Sequence, residues 1–258
     1  MHLVEVAQIQ PMFFKGSIDG VVAAMVTVAA SEGLDFSTRA MALELLVTLT
    51  ENAPALSRRC PALIGGLVPL AMSLMVDVEE EEHEWVAGRY SGETPDENYF
   101  VGEEAIERAA AGMGGKVVAP PVLAAVTQYA THAQWKYRRA AIAAMARLAE
   151  GCTAFFKPHL NSAVEILSSA LSDPSPRVQY EAVQFIGRLA PLFPEMSEPV
   201  IKAFLPVLSA KLADTTQCDR VRGHAASALI TMVTPESCEP GKFRIYLTQT
   251  TTLTGTHY

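Results

Sequence analysis

The side chains best equipped for chemistry crowd into one acidic window. Asp77, Glu79, Glu80, Glu81, Glu82 and Glu84 open it, and the eleven acids up to Glu104 face a single base, Arg89. The chain's net charge is −8, and this window alone carries −10, so the remainder is about +2. Two readings stand for such a run. It is a solvated loop, or a site that draws in a Lys- or Arg-rich ligand. Trp85, Tyr90, Tyr99 and Phe100 lie inside it and favour the second. The spacing of the acids lacks the alternation and central glycine of a calcium-binding loop.

Other constellations point away from catalysis. Gly112-Met113-Gly114-Gly115-Lys116-Val117 superficially resembles a phosphate-binding loop, but Ala110 stands where the first glycine should be and Val117 where Ser or Thr should be. Capping of a helix end by glycine accounts for it better. The six histidines never fall at i and i+4, and Cys60, Cys152, Cys218 and Cys238 form no Cys-x-x-Cys pair. Neither a metal site, nor a disulfide framework, nor a nucleophile with its base is indicated. The chain therefore reads as a binding protein, not an enzyme, with no cofactor. The net acidity argues against nucleic acid as a partner, and no apolar run approaches the roughly 20 residues that span a bilayer. Trp135-Lys136-Tyr137-Arg138 reads as packing over a turn, with a surface contact as the alternative.

These residues must be carried by repeated helices. Ala42, Ala141, Ala182 and Ala225 each open one apolar series with partners at +1, +4 and +7: Leu43, Leu46, Leu49; Ile142, Met145, Leu148; Val183, Ile186, Leu189; and Ala226, Leu229, Met232. That spacing is one helical face. Arg39, Arg138 and Arg222 stand three residues before their Ala, and Gln179 takes that place in the Ala182 copy. Copies lie 41 residues apart from Ala141 to Ala182 and 43 from Ala182 to Ala225. This is the period of HEAT or armadillo helix pairs. A weaker copy begins at Ala105, and the 63 residues between Ala42 and Ala105 require an insertion, placed at about 77–100.

The expected fold is all-α, a right-handed α-solenoid of about five HEAT helix pairs over 19–240. Residues 1–18 end a preceding repeat, and 241–258 form a non-repeat tail. The pairs are expected at about 19–30 with 35–54, 60–78 with 101–116, 121–132 with 135–151, 155 or 158 to 171 with the helix after the 173–178 turn, and 198–212 with 220–233. Asp35 or Ser37 should cap the second helix and Asp173 the turn before Pro174 and Pro176. Both ends lack the polar cap that finishes a solenoid, so the chain reads as part of a longer array.

Several segments together resemble the central part of the importin-beta family of nuclear transport receptors. They are Met75-Val76-Asp77 with the Glu run, Gly112 to Lys116, Trp135 to Ala140, Glu150-Gly151-Cys152, and Asp173 to Val178 with Tyr180 and Ala182. They occur in the family's order with similar gaps, over roughly residues 34 to 234. The resemblance implies a receptor that shuttles between cytoplasm and nucleus through contacts with nucleoporins. It would bind basic cargo bearing nuclear-localisation signals on a concave face lined by the second (B) helices, and release it to GTP-bound Ran. By the same resemblance, Asp77, Glu79, Glu80, Glu81, Glu82 and Glu84 form an acidic loop near cargo and Ran. Glu51, Glu107, Glu150 and Gln184 become inner-face contacts. The family's amino-terminal arch and carboxy-terminal half have no counterpart here. The insertion also departs from the family at Arg89, Gly92 and Pro95. A HEAT-repeat scaffold subunit is the alternative.

Overall fold

Helix follows wherever apolar residues recur at three- and four-residue spacing, and the repeats supply that pattern along most of the chain. The computed structural model describes residues 2–78, 82–88, 97–194 and 197–232. Among them every regular element is an α-helix or a short 3-10 turn. In order these are α1 (His2–Ile9), a 3-10 turn (Pro11–Gly16), α2 (Ile18–Ala30), α3 (Phe36–Asn52), α4 (Pro54–Ser57), α5 (Pro61–Val76), α6 (Glu82–Ala87), α7 (Glu97–Met113), α8 (Gly115–Tyr129), α9 (Trp135–Gly151), α10 (Thr153–Phe156), a 3-10 turn (Lys157–His159), α11 (Leu160–Ala170), α12 (Pro176–Leu192), α13 (Ser197–Ala213) and α14 (Asp219–Met232). The pairs α2/α3, α5/α7, α8/α9, α11/α12 and α13/α14 are the expected HEAT repeats. No described helix is long and apolar enough to cross a membrane. The tail at 241–258 lies outside the described residues.

The chain divides into two compact units, Met1–Glu80 with Gly92–Phe156, and Glu81–Ser91 with Lys157–Tyr258. In the first, α2, α5 and α8 pack side by side as one layer, and α3, α7 and α9 as the other, with α1 against α3. In the second, α12 packs on α14, α13 on α14 and α6 on α12. The repeated alanines are the seams. Ala42, Ala141, Ala182 and Ala225 are all buried, as are Leu46, Leu49, Leu148, Ile186 and Leu189. In the last copy Leu229 is only half-buried, and Ala228 turns inward beside Met232.

The residue three before each alanine has one task throughout. Arg39 donates from Nε to the Ala29 carbonyl at 3.1 Å, Arg222 from Nε to Leu212 at 3.4 Å, and Arg138 from Nη1 to His132 and Ala133, both at 2.8 Å. Gln179 does the same through Nε2 to Asp173 at 2.7 Å. Each ties the start of a B helix to carbonyls at or just beyond the end of its own A helix, groups that helix geometry leaves without partners. Around Arg138 the ring of Tyr137 packs on Tyr129 and His132, so this segment does pack over its turn.

Asp35 is the N-cap of α3: its carboxylate accepts from the Thr38 amide at 2.9 Å and from the Ser37 and Thr38 hydroxyls. The Ser37 hydroxyl, then the Thr38 amide and hydroxyl, hold its pKa down at about 2. A depressed folded pKa stabilises above the unfolded value and is lost as pH falls toward the folded one. Asp35→Ala should therefore lower the melting temperature at neutral pH, and the gap to the parent should narrow as pH falls from about 4 to about 2. A gap that stays constant down to pH 2 would show that the carboxylate charge is not what caps α3. Asp173 acts differently from the expected cap. It accepts from the Ser175 amide at 2.8 Å, shaping the turn, while Ser175 takes the N-cap position of α12 and Pro176 its first turn.

The largest boundary shifts are at α7 and α8. The first begins at Glu97 and ends at Met113, and the second begins at Gly115, six residues before the expected Pro121. Gly114 alone joins them with φ +83°, a conformation that favours glycine. Its amide bonds to Ala110 and its carbonyl accepts from Val117 and Val118, so this glycine closes one helix and opens the next. Arg58 closes the joint from Nε and Nη2 onto the Met113 carbonyl at 3.0 and 2.9 Å. Pro120 and Pro121 lie inside α8.

Candidate functional site

The layer formed by α3, α7 and α9 carries the main charged cluster. On α3, Glu44 and Glu51 stand two turns apart on one face. Arg108 of α7 reaches back to both. Its Nε and Nη2 meet the two oxygens of Glu51 at 2.8 and 2.7 Å, and Nη1 and Nη2 meet those of Glu44 at 2.7 and 2.9 Å. A fifth, longer contact of 3.4 Å goes to Glu104 on its own helix. All five guanidinium N–H groups are thereby used, in the forked geometry that suits two carboxylates. The Glu51 and Glu44 hydrogen bonds hold the Arg108 pKa above its ordinary value.

Arg147 repeats the arrangement one helix on. It contacts Glu103 and Glu107 of α7 at 3.1 and 3.2 Å and Glu150 of α9 at 2.8 Å. Burial alone pushes its pKa down, but Glu103 and the other two carboxylates outweigh that and raise it. Glu103 is buried, with the Tyr99 hydroxyl donating to it at 3.1 Å. Six carboxylates thus surround Arg108 and Arg147, and the Arg139 guanidinium lies over the Tyr99 ring at 3.7 Å beside Glu103. The side chains of Glu104 and Glu107 remain 65% and 41% exposed. Beside them a cavity of about 380 Å³ opens between α3 and α7, lined by Phe36, Met41, Val47 and Val101 together with Glu44, Glu104 and Arg108.

Glycines set the spacing of this layer. A Cβ on Gly112 would stand 2.6 Å from the Thr50 carbonyl oxygen of α3, and one on Gly151 2.6 Å from the Glu107 carbonyl oxygen of α7. Only hydrogen fits at either point, and it is this close backbone approach that brings the arginines within reach of the preceding helix.

Of the residues expected to form a site, Glu51, Glu107 and Glu150 come together in this cluster. Gln184 sits apart on α12 in the second unit, with its amide nitrogen facing Glu181 at 3.3 Å and its oxygen accepting from Arg188 at 2.8 Å. Asp77 is exposed at the end of α5, where Asn98 donates to it at 2.8 Å, and Lys136 donates to the neighbouring Val78 carbonyl at 2.6 Å. Glu82 and Glu84 belong to α6, while Glu79, Glu80 and Glu81 lie outside the described residues. Sequence reasoning missed Arg108, Arg147 and Glu44. The Glu-x-x-x-Arg spacing of Glu104 and Arg108 was the available signal, but it shows only the contact within α7. Glu103 and Glu104, counted with the insertion, are helical. Among the described residues no group of three His, Cys, Asp or Glu is placed to hold a metal ion.

Comparisons with known proteins agree with this architecture. The family described as Importin repeat matches residues 31–120, and that described as HEAT-like repeat matches 135–189. Importin subunit beta-3 of Saccharomyces cerevisiae is 29% identical over 233 residues, which cover 88% of this chain and 21% of that protein. The chain thus spans about a fifth of the length of this curated relative. The crystal structure of Kap121p bound to Nup53p superposes with a TM-score of 0.83 at 28% identity, covering 89% of this chain and 23% of that one. Kap121p bound to RanGTP gives 0.83 at 27%, covering 95% and 24%. Helix pairs, repeat matches and relatives agree: the chain is built of HEAT repeats and is similar to receptors of the importin-beta family.

Proposed function

We propose that this chain is the cargo-binding part of a nuclear transport receptor that takes Lys-rich nuclear-localisation segments onto its B-helix layer, with release coupled to GTP-bound Ran in the full-length protein. The observation that carries the reading is the pair of partly exposed carboxylates, Glu104 and Glu107, held on this layer beside an apolar-lined cavity. Arg108 and Arg147 fix the carboxylates in place without neutralising them. An incoming lysine can lay its aliphatic stem against Val101 and Met41 and set its ammonium on Glu104 or Glu107. Glu51 and Glu150 complete that layer; the inner-face contact proposed for Gln184 belongs to the second unit by itself, and the charge of Asp77, Glu79, Glu80, Glu81, Glu82 and Glu84 adds long-range attraction.

Relatives support the class of partner. Crystal structures hold Kap121p bound to Nup53p, Pho4p and RanGTP, and we carry to this chain a nucleoporin, a basic cargo and Ran as partners. Shuttling between cytoplasm and nucleus follows from the same reading, as does the absence of catalysis.

The test is fluorescence anisotropy with a labelled Lys-rich localisation peptide at low and high salt. Three proteins are compared: the parent, an insertion variant with Glu79, Glu80, Glu81, Glu82 and Glu84 changed to Gln, and a layer variant with Glu104 and Glu107 changed to Gln. Binding by the parent should weaken steeply with salt. The layer variant should lose at least tenfold in affinity and the insertion variant less. No binding by the parent, or binding indifferent to salt and to both variants, would overturn the reading.

A further inference from the structure

The acidic insertion contains a tryptophan that its charge does not explain. Trp85 lies on the six-residue helix α6 between exposed neighbours, yet it is only 7% exposed itself. Tyr180 of α12 meets its ring edge-on, with centroids 5.2 Å apart. The Arg177 guanidinium of α12 lies 5.5 Å from the ring centroid and the Arg220 guanidinium of α14 4.9 Å from it, within the range at which an indole face attracts a cation. Two polar contacts hold the flanks. Arg220 donates from Nη2 to the Gly88 carbonyl at 3.2 Å, and the Ser175 hydroxyl donates to Glu82. Arg220 Nε is buried without a hydrogen-bond partner, a loss that the adjoining indole offsets. One aromatic side chain, two arginines and a carbonyl therefore fasten α6 to two helices of the second unit.

We propose that Trp85 and Arg220 are positioning residues: they latch α6 onto α12 and α14, so that Glu82 and Glu84 are presented to a basic peptide from a fixed place. The use of those carboxylates rests on the transport-receptor reading; the latch itself does not. Its parts are interdependent, because Arg220 contacts both the ring and the carbonyl one residue past the helix. Loss of Arg220 should release α6 without unfolding the α12/α14 pair, whose interface is built from Ala182, Ile186, Gly187, Ala225 and Ala228.

The latch can be told from simple charge addition. Removing a positive charge beside an acidic site should strengthen binding of a Lys-rich peptide if electrostatics alone decide. If Arg220 acts by positioning, Arg220→Ala should weaken it, by about three- to tenfold. Arg220→Lys, which keeps the charge but not the fork, should fall between Ala and the parent. Two direct readouts accompany affinity, both in a Trp135→Phe background that leaves Trp85 as the only tryptophan. Acrylamide quenching of Trp85 should rise several-fold in Arg220→Ala, and amide exchange at Val86, Ala87 and Gly88 should accelerate at least tenfold. Trp85→Leu, which keeps an apolar group in the same seat, should accelerate the same amides and so covers the case in which Arg220→Ala fails to fold. Unchanged exchange and quenching would overturn the latch. Faster exchange with tighter peptide binding would overturn the positioning role. A parent that ignores the peptide would sink the receptor reading alone, since the exchange arm is read without ligand.

Discussion

Gly112→Ala should destabilise the protein by about 2–3 kcal/mol, near the upper end of what overpacking a close-packed contact costs, and Gly112→Val should cost more. The new Cβ meets backbone, with the Thr50 carbonyl oxygen at 2.6 Å and its carbon at 2.9 Å. A flexible side chain could swing aside, but a helix backbone must translate. Gly151→Ala should act likewise through the Glu107 carbonyl oxygen. The same substitution has the opposite sign where space is open. Nothing lies within 4 Å of a Cβ built on Gly20 in α2 or Gly65 in α5, so alanine there should stabilise by about 0.5–1 kcal/mol through helix propensity alone. Urea denaturation of the four single variants checks the contrast. Equal effects at all four positions would mean that helix propensity, not interhelical distance, governs these glycines.

The largest functional effect is expected from reversing charge on the α7–α9 edge of the layer. Changing Glu107 and Glu150 to Lys together should reduce affinity for a Lys-rich peptide at least 100-fold, about 2.7 kcal/mol. Each change removes an attraction and adds a repulsion, and the two also release Arg147 from two of its carboxylates, making its charge felt. Raising the salt should restore part of the loss, because repulsion between partly exposed charges is screened. Arg147→Gln in the same background should recover more. Peptide affinity that survives the double reversal in a folded protein would move the site off this layer.

Most of the helix pairs could be read from the residues, because Ala42, Ala141, Ala182 and Ala225 repeat one apolar pattern and all prove buried. Glu51, Glu107 and Glu150 lie on helices that pack side by side. What was hidden depends on contacts between distant segments. Arg108 is paired with Glu44, 64 residues away in sequence, and no local pattern marks that. Trp85 falls in a charged insertion, and its seat on Tyr180, Arg177 and Arg220 is set by α12 and α14, which begin only at Pro176 and Asp219. Proline commonly opens a helix, which points to a start at Pro121, but α8 begins at Gly115 and carries Pro120 and Pro121 inside it.

The arginine or glutamine that ties each of four B helices to its own A helix has a mechanical corollary. Arg39, Gln179, Arg138 and Arg222 each lock a turn from inside its repeat, so a pair should respond to load as a stiff plate. Within the first unit the seams from one pair to the next are held differently, by the carboxylates around Arg108 and Arg147 and by the close backbone approach at Gly112 and Gly151, so bending there works against ion pairs and packing while no single turn is deformed.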